Sequence, residues 1–390
     1  MSQGIYELFQ PVDQPVFSNA EGTSRIADRI DIHRFDYQPD IEGCRIAIFG
    51  VNDGRKSGDN EGCSAAPDAI RSWLYRLTPP TRWAPVVDLG DIRAGFEDFD
   101  TENAVITVVS ELVQMGIIPI VMGGGQDLTY AMYAALESVG RHINVVTVDS
   151  RLDFGGDPEV HTSKNFMNRL VLHEPNYLFD YTNVGHQGYL TDPDTLELLE
   201  RLEFEAIRLG KVHSNAQLLE PTFRNSDLIS IDLSSIRAAD HPASTHAGPN
   251  GLTSSQICQL ARYAGLSDRM IALGVFEHNP DLDDRGRGAH LTAQVIWHML
   301  DGIFCQTGDY PKCSSEEYTR YVVDLPGNDH EVAFFKSARS DRWWMDVPIP
   351  TSKKNNKDHH HLVPCAYEDY QEAAEGQLPD RWWRTYQKLA

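Results

Sequence analysis

Acidic and amide side chains follow several apolar runs of this sequence at the points where the runs end. Asp149, Asp153 and Asp232 come at the ends of two such runs, and Gln126 and Glu277 follow two others. Carboxylates in this position are costly to bury unless a cation lies among them. Oxygen ligands suit hard divalent cations such as Mg²⁺, Ca²⁺ or Mn²⁺ better than zinc or copper. The pattern therefore predicts a cluster of acids that is neutralised by a cation.

The runs that position these side chains are short and continuous, which is typical of strands covered on both faces. The predicted strands are residues 45–51, 117–122, 143–149, 228–233, 270–276 and 331–335. The predicted helices between them are residues 66–77, 101–115, 128–139, 195–202, 253–264 and 289–304. This alternation predicts a mostly parallel sheet between two layers of helices. Ligands of such sheets bind beyond the carboxyl ends of the strands.

Four motifs contain the acids, and each stands at the end of a predicted strand: MGGGQDL, VDSRLD, SIDLS and FEHNP. In this order they resemble the motifs GGxH, DAHxD, SxDxD and ExNP of the ureohydrolase family, which includes arginase, agmatinase and formimidoylglutamase. Residues 62–71 and 230–242 are similar to segments of the formimidoylglutamase branch. The resemblance implies a three-layer α/β/α sandwich of the arginase type. We expect one domain over residues 1–390, with a core at about 45–305 and extensions at 1–44 and 306–390.

The metal motifs of that family are altered here. The resemblance implies two Mn²⁺ ions held by four aspartates and two histidines. Gln126 and Arg151 stand where the family has the histidines, and Ser234 stands at the second aspartate of SxDxD. We therefore expect no two-Mn centre, but one divalent cation (Mn²⁺, Mg²⁺ or Ca²⁺) or none. The metal ligands implied by the resemblance are Gln126, Asp149, Asp153 and Asp232.

Arg151 is the most informative of these changes. An arginine side chain stays charged in a protein and presents a planar fork of donors. Its guanidinium has the reach to fill the place of the second ion and to pair with Asp149 and Asp232. We expect Arg151 to neutralise these two acids.

The resemblance also implies a substrate side of the cleft. Glu277 matches the glutamate that holds the guanidinium or formimino nitrogens. Ser163 and Asn165 lie in a segment similar to the TSGN loop, which holds the amino-acid end of the substrate. Met167 falls near the place of the arginase proton shuttle, and His161 is the candidate to replace it. The predicted catalytic residues are Asp149, Arg151, His161 and Glu277.

Two functions fit these observations. In the first, the chain is a ureohydrolase homologue whose catalysis is impaired and whose fold serves binding, assembly or regulation, with a small amidine or guanidino compound as the expected partner. In the second, it is an active hydrolase of C–N bonds in linear amidines, acting on formimidoylglutamate or a guanidino compound. It would use one divalent metal, which lowers the pKa of bound water but gives a weaker nucleophile than a metal pair. A third option is a structural subunit of an oligomer with a sealed cleft.

Composition and charge argue against several other classes of protein. The formal net charge of -23 argues against nucleic-acid binding, which needs a surplus of lysine and arginine. No apolar run is long enough for a membrane span, and the start of the chain shows no secretory pattern. The six cysteines lack CxxC spacing and indicate a reducing compartment. We expect a cytoplasmic protein that forms a homo-oligomer.

Overall fold

The apolar runs form the centre of a large sheet in the computed structural model, which describes residues 4–13, 24–157, 159–310, 317–324, 331–349 and 360–390. The strands are β1 (Phe9–Gln10), β2 (Asp31–Ile32), β3 (Ile46–Asn52), β4 (Val86–Arg93), β5 (Ile118–Met122), β6 (Ile143–Val148), β7 (Leu178–His186), β8 (Glu205–Arg208), β9 (Leu228–Asp232), β10 (Ala272–Phe276), β11 (Tyr318–Asp324), β12 (Glu331–Ser337), β13 (Trp343–Pro348) and β14 (His360–Cys365). The helices are α1 (Ala66–Leu74), α2 (Asp98–Gln114), α3 (Leu128–Ala135), α4 (Phe166–Leu172), α5 (Pro193–Arg201), α6 (Leu209–Ser214), α7 (Glu220–Arg224), α8 (Ser254–Gly265), α9 (Arg287–Phe304), α10 (Tyr367–Ala374) and α11 (Asp380–Leu389).

The main sheet has the strand order β1-β4-β3-β5-β10-β9-β6-β7-β8, with β2 also paired to β4. Its pairings are parallel except for β1, which runs antiparallel to β4. Helices α1, α8 and α9 contribute to one hydrophobic cluster, and α2, α3 and α4 contribute to another. The central strands are buried on both faces, as their continuous apolar runs predict. The predicted three-layer α/β/α architecture is confirmed.

The described residues after 316 add a second sheet, which is antiparallel in the order β11-β12-β13-β14. The prediction that residues 331–335 form a strand of the main sheet is wrong, because this run lies in β12 and pairs with β11 and β13. A short apolar run indicates burial but not the partner strand. The second sheet has its own apolar cluster with α10 and α11, in which Trp382 donates a hydrogen bond to the carbonyl of Asp346 (2.8 Å).

Strand β4 is buried although it carries two aspartates, and the sequence pattern did not predict it. The guanidinium of Arg71 is fully buried and lies 2.8 Å from Asp88 Oδ2 and 2.6 Å from Asp91 Oδ1. The hydroxyl of Tyr75 also donates to Asp88 at 2.8 Å. Arg71 and Tyr75, both on or next to α1, pair with the carboxylates of Asp88 and Asp91 and so offset the cost of burying them in the sheet. None of the helices in the described ranges is both long and apolar enough to cross a membrane.

Candidate functional site

The carboxyl ends of β5, β6, β9 and β10 bring the predicted acids together at one edge of the sheet. Val148 pairs with Ile231, so that Asp149 and Asp232 follow at neighbouring positions. Asp232 in turn pairs with Phe276, the residue before Glu277. Neighbouring strands lie about 4.8 Å apart. The register therefore places these carboxyls within interaction distance, as the sequence predicts.

The cluster consists of four buried carboxyls. Asp149 and Glu277 are each 1% exposed, and Asp153 and Asp232 are each 8% exposed. Burial raises the pKa of Asp149 and of Asp232 well above the usual carboxyl range, and neighbouring acids raise both further. Burial also raises the pKa of Asp153 to about 7. Among the described residues no cationic side chain lies within 4.0 Å of these four acids, so no ion pair offsets the rise that burial causes in their pKa values.

Gln126 bridges two of these acids. Its amide nitrogen faces them, 2.8 Å from Asp149 Oδ2 and 3.2 Å from Asp153 Oδ2, because the opposite orientation would set its oxygen against two carboxyl oxygens. The backbone N–H of Arg151 donates to the other oxygen of Asp149 at 2.8 Å. The charge of Asp153 adds to the burial that raises the pKa of Asp149. The amide of Gln126 and the backbone N–H of Arg151 thus hold this pair of acids.

Ser234 holds the third aspartate. Its backbone N–H donates to Asp232 Oδ1 at 2.6 Å, and its hydroxyl donates to Asp232 Oδ2 at 2.8 Å. The next serine, Ser235, donates instead to the backbone carbonyl of Asp232 at 2.6 Å. A carboxylate at position 234 would offer acceptor oxygens, whereas the serine hydroxyl consumes one lone pair of Asp232.

The expected ion pair of Arg151 with Asp149 and Asp232 is not formed. In the described part of the chain its guanidinium has no carboxylate within 4.0 Å, and its side chain lines a cavity of about 150 Å³. Lys164 lines the same cavity, together with Asp153. The prediction fails because Ser234 and Gln126 already donate to the acids. The raised pKa values of Asp149 and Asp232 also reduce the average negative charge that would offset the desolvation of a guanidinium.

Glu277 is held by four donors from three parts of the chain. Its Oε1 accepts from the hydroxyl of Ser57 (2.9 Å) and the backbone N–H of Gln126 (3.0 Å), and its Oε2 accepts from the amide of Asn60 (2.8 Å). The hydroxyl of Ser163 also donates to it and, like the other donors, opposes the rise in the pKa of Glu277 that burial causes. Sequence reasoning missed Ser57 and Asn60. The only signal was their place in a polar loop after β3.

The remaining predicted residues lie in the loop before α4. Asn165 stabilises that loop, because its Oδ1 accepts from the backbone N–H of Thr162 at 2.8 Å. His161 is exposed, and the pKa of its imidazole is lowered by partial burial and by the charges of Arg169 and Lys56. The structure therefore brings Ser163 to Glu277, while Asn165 bonds within its own loop and His161 lies beside basic residues.

A positively charged group can bind to the four acids only if it replaces hydrogens or hydrogen-bond donors that already occupy their carboxyl oxygens. Within the described ranges, no three histidine, cysteine, aspartate or glutamate side chains are arranged to hold a metal ion. A cation that enters must compete with Gln126 and Ser234 for carboxyl oxygens.

Comparison with known proteins gives a consistent result. A model of the arginase family matches residues 44–301. The formimidoylglutamase of Photorhabdus laumondii is 24% identical over 296 residues, covering 72% of this chain and 93% of the relative. That of Lysinibacillus sphaericus is 22% identical over 284 residues, covering 68% and 86%.

Solved structures of similar fold include formiminoglutamase of Trypanosoma cruzi with Mn²⁺, at a TM-score of 0.64 and 20% identity, covering 69% of this chain and 97% of that one. Formimidoylglutamase of Bacillus subtilis has a TM-score of 0.66 at 16% identity, covering 78% and 99%. At this level of identity the structures support the shared fold.

Proposed function

The chain belongs to the arginase family, and we propose that it is a member with impaired catalysis, whose acid cluster binds a small amidine or guanidino compound without a two-metal centre. The observation that carries the proposal is the pair of hydrogen bonds from Ser234 to both carboxyl oxygens of Asp232 (2.6 and 2.8 Å). A metal ion binds through the lone pairs that these donors use.

The residues at the altered metal positions do not fit two metal ions. Gln126 directs an amide nitrogen, which is a donor, at Asp149 and Asp153. Ser234 supplies a donor to Asp232 where the family has a ligand. The guanidinium of Arg151 cannot ligate a metal, because it stays protonated. We infer that substitution at all three positions exchanges metal ligation for hydrogen bonding.

A planar organic cation suits an acid cluster that does not hold two metal ions. Amidinium and guanidinium groups carry about one positive charge and donate two parallel N–H bonds to a carboxylate. Asp153 lines the cavity of about 150 Å³ and is the acid that such a cation meets first. Arg151 and Lys164 line the same cavity and suit the carboxylate end of an amino-acid ligand. An acid and two bases that line one cavity support the proposal of a small zwitterionic ligand.

A single-metal hydrolase of linear amidines is the second candidate. It is favoured by one observation: Asp149, Asp153 and Asp232 lie together, and in the described part of the chain no cationic side chain pairs with them. One hard divalent ion would neutralise much of such a cluster. An ion of this kind activates bound water, but it would first have to displace the hydrogen bonds from Gln126 and Ser234.

The test is to measure binding and turnover on the same preparation. Purified protein is titrated by calorimetry with formimidoylglutamate, arginine and agmatine, and ammonia, formamide and urea release are assayed with and without added Mn²⁺ or Mg²⁺. We expect binding of at least one compound without metal, and no product above the uncatalysed rate.

The Asp153→Asn variant tests the role of this acid in binding, since it keeps the shape of the side chain and removes its ionisable group. It should bind the same compound more weakly. Product release that depends on added metal would overturn the proposal and support the single-metal hydrolase.

A further inference from the structure

Three arginines precede three neighbouring strands at the amino edge of the main sheet, opposite the acid cluster. Arg141 comes before β6, Arg224 before β9 and Arg269 before β10, and these strands are adjacent in the order β10-β9-β6. All three line a cavity of about 330 Å³. Its other walls are Asp268, Tyr310, Trp344 and Pro364. The cavity thus lies where the second sheet, through the paired residues of β13 and β14, meets the main sheet.

Positive charge is in excess on one side of this cavity. Arg141 Nη1 lies 2.5 Å from Asp227 Oδ1, and Arg269 Nη2 lies 3.0 Å from Asp227 Oδ2. Asp227 is fully buried and carries one charge against two guanidinium groups. Both arginines remain partly exposed, at 39% and 23% of their side chains. Asp268 also lines the cavity; it accepts the backbone N–H of Gly308 at 2.9 Å, and its carboxylate lies 3.9 Å from Arg342 Nη1. Arg141 and Arg269 therefore share the single carboxylate of Asp227, while Asp268 pairs with a third arginine.

The aromatic side of the cavity offers an unpaired donor. Trp344 is 2% exposed, and its indole N–H has no hydrogen-bond partner among the described residues. Arg224 stacks on the ring of Trp344 with its guanidinium carbon 4.5 Å from the centroid. The donors of Arg224 are engaged, since they bond to Glu220 and to the backbone carbonyls of Trp343 and Cys365. A buried indole N–H usually finds an acceptor, and leaving it unpaired costs free energy.

We propose that this cavity is a binding site for a small aromatic carboxylate. The monoanion matches the single excess charge of Arg141 and Arg269, and its oxygens supply the acceptors that these guanidinium groups and the indole N–H lack. The ring would pack against Trp344, Tyr310 and Pro364. A volume of about 330 Å³ is at the lower end of the range for small-molecule sites. The site is independent of the acid cluster, because it lies at the opposite edge of the sheet.

The proposal is tested with benzoate as the probe on the full chain, by calorimetry and ligand-observed NMR. Benzamide has the ring without the charge, and acetate has the charge without the ring. We expect saturable benzoate binding and affinities for both controls weaker by about tenfold or more, a difference of about 1.4 kcal/mol. Absence of saturable benzoate binding, or equal affinity for benzamide, would overturn the proposal.

Two variants locate the site. Arg141→Gln removes a partly exposed charge, and Trp344→Phe keeps a ring while removing the N–H; each should weaken benzoate binding by about fivefold or more, roughly 1 kcal/mol. Arg285→Gln is the matched control, because this arginine is 88% exposed and lies in the loop after β10, at the other edge of the sheet. Circular dichroism checks the fold of each variant. If Trp344→Phe misfolds, the affinity of Arg141→Gln for benzoate alone tests the proposed site. Unchanged affinity in Arg141→Gln contradicts the proposal.

Discussion

Ser234 and Ser235 are neighbouring buried serines that both donate hydrogen bonds to Asp232, one to its side chain and one to its backbone. The hydroxyl of Ser234 donates to the carboxyl of Asp232 at 2.8 Å, and that of Ser235 donates to its backbone carbonyl at 2.6 Å. Ser234→Ala leaves a carboxyl oxygen of an acid that is only 8% exposed without this donor. The loss should lower the free energy of unfolding by about 1–3 kcal/mol, towards the upper value if Asp232 is ionised.

The response to Mn²⁺ separates this account from simple loss of packing. Ser234→Ala frees a lone pair of Asp232, so added Mn²⁺ should stabilise this variant more than it stabilises the wild type. A ligand at about a hundred times its dissociation constant adds about 2.7 kcal/mol. Ser235→Ala is the matched control: it should lose about 1 kcal/mol and respond to Mn²⁺ as the wild type does.

The assay is urea denaturation of the wild type and both variants, with and without Mn²⁺. The reasoning is refuted if Ser234→Ala unfolds at the wild-type urea concentration. It is equally refuted if both serine variants gain the same stability from the metal.

Two further predictions concern Arg151 and a buried histidine pair. Because Arg151 makes no ion pair with a described residue, Arg151→Ala should change the free energy of unfolding by less than about 1 kcal/mol in the same urea assay. A loss of several kcal/mol would show that its guanidinium does pair with the buried acids. Burial lowers the pKa of His241 to about 3 and that of its neighbour His278 to about 4, from an ordinary value of 6.5. The unfolded chain therefore binds more protons as pH falls below 6.5, and the native state loses about 2 kcal/mol per histidine at pH 5. His241→Gln removes one such loss, so the stability difference between wild type and variant should move by about 2 kcal/mol in favour of the variant between pH 7.5 and 5; an unchanged difference would show that His241 titrates normally.

The sequence predicts the five central strands of the main sheet, β3, β5, β10, β9 and β6, because strands buried between two helix layers are continuous apolar runs. It does not predict the outer strands β1, β2, β7 and β8. It also predicts which acids meet, since parallel strands end at a common edge. Strand β4 escaped prediction because its two aspartates interrupt the apolar pattern, and only the structure shows that Arg71 of the preceding helix α1 neutralises them. The second sheet escaped because a short apolar run such as that of β12 carries no information about its partner.

Arg151 shows a different limit of sequence reasoning. Its position after β6 fixes where the backbone lies, and its backbone N–H does donate to Asp149. The direction of the side chain depends on whether the acids keep free lone pairs. That is decided by Gln126 and Ser234, on two other segments of the chain. Three substitutions that look independent in the sequence therefore act on one another in the structure.

The central claim is that hydrogen-bond donors have taken the place of metal ligands at the acid cluster. The most direct measurement is the manganese content of the full chain, by elemental analysis, after dialysis against Mn²⁺ and removal of unbound metal. We predict at most one Mn²⁺ per chain in the wild type. The triple variant Gln126→His, Arg151→His, Ser234→Asp should hold two, since it restores the ligand types of the family motifs. Two Mn²⁺ per chain in the wild type would contradict the account.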